Sequence, residues 1–290
     1  AKTLSRILWQ ALQAWWNDDA MRLGASVSYY TLFAIAPILI VAIAVAGSLF
    51  GAEAVRGEIV GQIDGLVGKE GGQAVQALLQ GAARHNDNLL AGIVGGITFV
   101  LAACGAFLEL QAALNTIWRV KATPRGHLMG FFLDRLRAFG LVVAIGFLLM
   151  VSLAASAALA AFSTWLSYWA PDMPMLLRAL NLLVSFAGSA VLFAMLLKFL
   201  PGVKLKWSDV WIGAMVTSAL FTLGQQGIGL YLGQSSTAST YGAAGSVVVL
   251  LLWVYYSSQI LLFGAEFTRL YAERERGKRV PPTEFAVKAS

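Results

Sequence analysis

Six long apolar stretches constrain this chain more than any other feature of its sequence. Polar or charged residues flank each stretch, and the stretches lie at about 27–50, 89–118, 138–165, 178–200, 210–232 and 243–268. A helix needs about 20 apolar residues to cross the hydrocarbon core of a bilayer, so each stretch is long enough to cross it. We therefore predict an all-α membrane protein with six transmembrane helices in residues 25–268.

The composition excludes a soluble protein. Of the 290 residues, 58% are hydrophobic and only 12% are charged, and the mean hydropathy is +0.71. A soluble domain carries about 25% charged residues, so there are too few charges here to cover a water-exposed exterior. A transmembrane β-barrel would alternate apolar and polar residues, whereas these stretches are continuously apolar. The apolar stretches are therefore interpreted as helices that lie in lipid.

Residues 1–24 predict an amphipathic helix that lies in the cytoplasmic membrane interface. Apolar residues recur at helical spacing from Leu4 to Trp16, opposite polar and charged residues. The adjacent Trp15 and Trp16 suit the headgroup layer, where an amphipathic ring has one apolar and one wet side. This helix precedes the first predicted span.

Segment 51–88 is the only long connection between predicted spans, and it predicts a small helical cap outside the membrane. Its periodicity indicates two short amphipathic helices at about 53–66 and 70–84. The apolar positions that line one face of each are Ile59, Ile63, Leu66 and Val67, and then Val75, Leu78 and Leu79.

The basic residues orient the chain in the membrane. With these spans, 17 of the 21 Lys and Arg residues fall on the side that holds both termini. Cytoplasmic loops carry the excess of basic residues, so we predict a multi-pass protein of the bacterial inner membrane with both termini cytoplasmic and the cap periplasmic. The basic tail at 269–290 suits anionic lipid headgroups, at about 1 kcal/mol per charge. Membrane lipids are therefore the expected partners, and nucleic acid is not.

Glu109 is one of two carboxylates inside the predicted spans, where an ionisable side chain costs several kcal/mol and is a functional candidate. It lies on the second span, roughly 15 Å by helical rise from Arg119 at the charged end. Polar residues follow it, including Asn115, which indicates that this half of the helix faces the bundle interior. A transport or proton-relay role and a structural hydrogen bond or ion pair both remain open for Glu109.

Glu266 is the second carboxylate, near the inner end of the sixth span. Tyr255 and Gln259 precede it on the same helix face. Arg22 lies at a similar depth at the start of the first span, and Tyr30 follows it by two helical turns, so Arg22 is the predicted salt-bridge partner of Glu266. A structural ion pair and a functional polar stripe are the two interpretations.

Two further features concern backbone geometry. Pro37 removes a backbone donor from the first span and is predicted to kink or locally open that helix. Segment 234–246, which contains Tyr241, is rich in Ser, Thr and Gly, and it predicts either a polar vestibule on the outer side or a plain exposed loop.

Signals for catalysis are absent from the sequence. His85 and His127 lie on opposite sides of the predicted topology, so they cannot share a metal site. No glycine-rich phosphate loop ending in Lys and Ser or Thr is present. Cys104, the only cysteine, lies inside an apolar stretch. We therefore predict no enzyme activity, no metal site and no cofactor.

Two strings resemble the signature regions of the YihY/virulence factor BrkB family: ASVSYYTLFAIAP at 25–37 and YGAAGSVVVLLLWVYYSSQILLFGAEFT at 241–268. The resemblance implies a six-span bacterial inner-membrane protein, with links to serum resistance and envelope lipid handling. Members of this family were earlier labelled ribonuclease BN. A nuclease normally needs bound metal ions, and the sequence lacks a set of residues that could hold them, so we do not expect nuclease activity. The matching positions are Tyr29, Tyr30, Pro37, Tyr241, Gly242, Gly245, Tyr255, Gln259, Gly264 and Glu266.

Taken together, these features predict a secondary transporter or flippase-like carrier of an envelope lipid or small anionic solute. Six spans are few for an alternating-access carrier, so we expect a homodimer. The alternative is a non-transporting envelope scaffold linked to serum resistance. The residues predicted to line a pathway or polar network are Arg22, Tyr29, Tyr30, Pro37, Glu109, Asn115, Tyr241, Tyr255, Gln259 and Glu266.

Overall fold

The computed structural model describes residues 2–51, 104–120, 174–203, 205–234 and 245–275, together with pieces of 53–61 and 72–80. Regular secondary structure in these residues is helical throughout, with no strand among them. This confirms the all-α prediction for the described part of the chain. The long helices are α1 (Lys2–Asn17), α2 (Ala20–Phe50), α3 (104–117), α4 (Pro174–Phe199), α5 (Trp207–Gln234) and α6 (Gly245–Glu275).

These helices coincide with predicted spans where the two can be compared. α2, α4, α5 and α6 cover the first, fourth, fifth and sixth spans, and α3 covers the inner half of the second. The third predicted span, 138–165, lies outside the described residues. Among the helices that can be examined, Val247–Glu275 alone is long and apolar enough to cross a membrane by length and composition. The number of six spans therefore stays a prediction.

A sharp corner at Asp18 and Asp19 separates α1 from α2. Asp19 has a φ of 52°, in the left-handed region that few residues other than glycine, asparagine and aspartate adopt. The chain therefore turns at Asp19, and α1 does not continue into α2. The corner brings the end of α1 beside α6.

The amphipathic face of α1 is buried against protein. Ile7 and Ala11 pack with Phe267 of α6 in a small apolar core, and all three are buried. On the other side of α1, Trp9 is 61% exposed and Trp16 is 66% exposed. The helix thus binds α6 along one side and presents tryptophans along the other.

Two glycines and two threonines allow α5 and α6 to pack closely. Thr268 covers Gly213, and Thr217 covers Gly264, so a methyl group on either glycine would overlap a threonine hydroxyl. Thr217 donates to Gly213 O at 2.7 Å, and Thr268 donates to Gly264 O at 2.6 Å. Small residues four apart are typical of close helix contacts in membranes. This reciprocal contact fixes the part of α6 that carries Glu266.

Two cores hold the helices together. The larger joins α2, α3, α4, α5 and α6 near the corner, and the smaller joins the outer half of α2 to the start of α6 and to the helical pieces of 53–61 and 72–80. The buried members of the smaller core are Ile43, Val55, Val75, Leu79 and Leu250. The helical pieces of the predicted cap are therefore packed onto α2 and α6.

Candidate functional site

The inner half of α6 carries a buried ion pair. Glu266 is fully buried, and its Oε2 accepts hydrogen bonds from Arg269 Nη2 at 2.6 Å and from Arg269 Nε at 3.1 Å. Arg269 Nη1 donates to Glu273 Oε1 at 3.1 Å. The guanidinium of Arg269 therefore binds two carboxylates on the same helix. Charge-assisted bonds of this kind are among the strong ones in proteins.

The predicted pairing of Glu266 with Arg22 is wrong. Arg22 is exposed on α2, and the guanidinium that Glu266 binds belongs to Arg269, three residues further along its own helix. The prediction placed Arg269 at the start of the basic tail, but α6 continues to Glu275 and buries it. The spacing of three between a carboxylate and an arginine was a usable signal, because such residues face each other on a helix.

Asp18, which sequence reasoning did not select, extends this charged group to the α1–α2 corner. Its carboxylate lies within interaction range of the Glu266 carboxyl group, and its Oδ1 lies 3.8 Å from Arg119 Nη2. Arg119 follows the end of α3 in a left-handed conformation, with a φ of 53°. Side chains from three separate parts of the chain thus meet beside α6. We call Asp18, Arg119, Glu266, Arg269 and Glu273 the charged cluster.

Glu109 and Asn115 both make hydrogen bonds between helices or segments. The hydroxyl of Ser26 on α2 donates to Glu109 Oε1 on α3, and Glu109 is half-buried. Asn115 Oδ1 accepts from Gly202 N at 2.8 Å, just after α4. These bonds agree with the interpretation that the inner half of this helix faces other protein. For Glu109, the observed partner is a hydroxyl group.

Gln259 lies where α6 meets both α1 and α2. Its amide nitrogen donates to Met21 O at 3.3 Å, and it approaches α2 at Gly24, where any side chain would overlap the amide. Tyr255, four residues earlier, is half-buried. The predicted polar face of α6 therefore contains one side chain that bridges helices and one buried carboxylate.

An apolar groove opens beside Gln259, between α1, α5 and α6. Its volume is about 180 Å³, and it is open to the surface on one side. Trp15 and Gln259 are two of its lining residues, and the indole N–H of Trp15 and Oε1 of Gln259 are buried without a hydrogen-bond partner among the described residues. The residues that line the groove are Leu12, Trp15, Leu220, Tyr256, Gln259, Ile260 and Phe263.

The other predicted site residues lie apart from the groove and the charged cluster. Tyr29 and Tyr30 are 59% and 45% exposed on α2, and their rings meet edge to face. Pro37 is buried, and α2 continues through it to Phe50, so the proline does not end the helix. Tyr241 lies outside the described residues.

Within the described part of the chain, no group of three or more His, Cys, Asp or Glu side chains is arranged to hold a metal ion.

The structure has three features of an α-helical membrane protein. Its helices pack through small residues, α6 is long and apolar, and α6 contains a buried ion pair. A family model described as Virulence factor BrkB matches residues 11–288. The match spans nearly the whole chain, so the protein belongs to the BrkB family of membrane proteins.

Three curated relatives carry the name UPF0761 membrane protein. The Vibrio vulnificus protein is 28% identical over 94% of this chain and 84% of its own length. The Verminephrobacter eiseniae protein is 29% identical over 91% of this chain and 63% of its own length. The YihY protein of Salmonella arizonae is 30% identical over 74% of this chain and 70% of its own length. No solved structure matches the chain.

Proposed function

We propose that this protein is a flippase-like carrier of an amphipathic envelope lipid in the bacterial inner membrane, and that the groove between α1, α5 and α6 receives part of one acyl chain. The groove is the observation that supports a lipid over a small anionic solute. Its lining residues are apolar or uncharged, so it offers no cation to attract an anion. Apolar surface is the chemistry that recognises a hydrocarbon chain.

The size and opening of the groove fit part of a long molecule. Its volume of about 180 Å³ is below the roughly 300–1,000 Å³ of a pocket that encloses a drug-sized ligand. Because the groove is open on one side, the remainder of the lipid would stay in the bilayer. A lipid entering sideways from the membrane would therefore not need to leave the hydrocarbon region.

Two polar atoms favour an amphipathic lipid over a pure hydrocarbon. Two lining residues, Trp15 and Gln259, hold a buried donor and a buried acceptor, and neither atom has a hydrogen-bond partner in the part of the chain that the structure describes. An unpaired buried polar group costs about 1–3 kcal/mol. A rotation of either side chain toward the groove would let an ester or hydroxyl group near the lipid headgroup bind its buried polar atom and remove that cost.

The test is lipid movement in vesicles that contain the purified full chain. Vesicles of phosphatidylethanolamine and phosphatidylglycerol carry a trace of fluorescent phospholipid, and a membrane-impermeant reductant quenches the outer leaflet only. We expect the protein to expose the inner-leaflet probe to the reductant faster than protein-free vesicles do.

A matched pair of substitutions ties this activity to the groove. Leu220→Trp fills the groove from α5 and is expected to abolish the acceleration. Leu223→Trp adds the same ring three residues away, where the side chain is 70% exposed, and is expected to retain it. Equal rates for both variants, or no acceleration by the wild type, would argue against the carrier.

An envelope scaffold is the alternative function, and it predicts a different result. The helical pieces of 53–61 and 72–80 share an apolar core with α2 and α6, which would give a scaffold a surface for a partner outside the membrane. Purification of a stoichiometric partner that is lost when residues 51–88 are replaced, together with no lipid movement in vesicles, would favour this function. The expected homodimer and the binding of anionic headgroups by the basic tail stay predictions.

A further inference from the structure

The charged cluster contains more negative than positive groups. Its carboxylates are Asp18, Glu266 and Glu273, and its guanidiniums are Arg119 and Arg269. If every group were ionised, the cluster would carry one negative charge in excess, counted over the residues that the structure describes. An uncompensated charge is costly where the side chains are buried, and Glu266 is fully buried while Arg269 is 4% exposed.

Two carboxylate oxygens in this cluster have no hydrogen-bond partner among the described residues. Glu266 uses Oε2 to bind Arg269, and Asp18 uses Oδ1 toward Arg119. Their second oxygens, Glu266 Oε1 and Asp18 Oδ2, are buried and accept no hydrogen bond from any residue that the structure describes. The two carboxyl groups lie within hydrogen-bonding range of each other. Two carboxyl groups in hydrogen-bond contact need one hydrogen between them, because an ionised carboxylate can only accept.

We propose that Asp18 and Glu266 share one proton, which forms an O–H···O hydrogen bond between the α1–α2 corner and α6. Two adjacent carboxylates cannot easily both ionise, and sharing a proton converts their repulsion into a strong hydrogen bond. The positive charge of this proton also balances the one negative charge that the cluster has in excess. It is therefore a bound ligand that joins the end of α1 to α6.

The surrounding groups are consistent with this site. On α6, Arg269 binds Oε2 of Glu266 and Oε1 of Glu273. The remaining carboxylate described on the packed face of α5, Asp209, accepts a hydrogen bond from Ser208.

The proton also affects the groove. Asp18 is one helical turn after Trp15, which lines one wall, and Glu266 is two turns after Gln259, which lines another. Loss of the proton would leave two facing negative charges at the point where α1 meets α6. The resulting repulsion would push the walls of the groove apart.

The experiment measures the proton directly, in the full chain reconstituted in phosphatidylcholine vesicles. Infrared difference spectra between the wild type and each variant at neutral pH, where exposed carboxyl groups are ionised, detect the C=O band of a protonated carboxyl group, which an ionised carboxylate lacks. We expect one more protonated group in the wild type than in Glu266→Gln or Asp18→Asn. Asp19→Asn removes the same charge from an exposed side chain one residue away, and it should retain the wild-type band.

The outcomes separate the proposal from its competitors. A band that persists in both Glu266→Gln and Asp18→Asn would overturn it, as would a wild type with no such band. Disappearance of the band on replacing choline by sodium at constant pH would show that a metal cation occupies the site instead. Because Cys104 is buried, its resistance to maleimide verifies that each variant is folded. Since no lipid movement is measured, the result is independent of the proposed carrier function.

Discussion

The contact between α5 and α6 predicts that one added methyl group destabilises the protein strongly. In Gly264→Ala, the new Cβ would overlap the Thr217 hydroxyl and lie 3.0 Å from Thr217 Cβ. Thr217 is fully buried, so it cannot move aside without breaking its hydrogen bond to Gly213 O. The threonine and the helix must therefore both shift.

The expected magnitude follows from two costs and one gain. Overpacking a close contact costs about 1–3 kcal/mol, and loss of the threonine hydrogen bond costs about 1 kcal/mol. Replacing glycine by alanine within a helix gains up to about 1 kcal/mol. Gly227→Ala on α5 has the same gain without the costs, because no described residue lies within 4 Å of a Cβ there. The two variants should therefore differ by about 2–4 kcal/mol.

Cys104 provides the assay for this comparison. It is the only cysteine and is 2% exposed in the larger core, so a maleimide dye reacts with it only when that core opens. We expect the midpoint of thermally induced labelling to be lower in Gly264→Ala than in Gly227→Ala by about 4 °C or more. The double variant Gly264→Ala with Thr217→Ala should recover part of the loss. Equal midpoints for the two glycine variants would refute the reasoning.

Two other predictions concern polar contacts and can be checked by denaturant unfolding in detergent. Arg269→Gln leaves the buried Glu266 without its guanidinium and should cost about 3–5 kcal/mol, whereas Arg119→Gln, whose side chain is 58% exposed, should cost about 1 kcal/mol or less; equal losses would contradict the burial argument. Asn115→Ala removes the acceptor for Gly202 N and should cost about 1–3 kcal/mol, and Asn115→Asp, which keeps an acceptor oxygen, should be less harmful.

The helices were the most predictable part of this protein. The amphipathic pattern up to Trp16 and the apolar stretch at 243–268 both correspond to observed helices, because periodicity and hydropathy are local properties of the chain. The end of the last helix was harder to predict. The positive charge of Arg269 resembles the start of a cytoplasmic tail, but pairing with Glu266 allows it to stay buried inside α6.

The groove and the role of Asp18 could not be predicted in the same way. The groove is formed by residues as far apart in sequence as Trp15, Leu220 and Gln259, and only the packing of three helices brings them together. Asp18 is an ordinary polar residue in the sequence, and its importance comes from the corner at Asp19. The spacing of Gly213 and Thr217 is visible in the sequence, but their partner helix is not.

The packing of α1 against α6 also determines an order of assembly. Ile7 and Ala11 are buried by Phe267, which the ribosome adds about 260 residues after Ile7. At typical rates of synthesis of about 5–20 residues per second, the apolar side of α1 waits roughly 10 to 50 s for its partner. During that interval, the membrane surface is the nearest place for this helix to bury its apolar side chains. The interfacial position predicted from its sequence would then describe an early stage of biogenesis, and docking on α6 would be the final step.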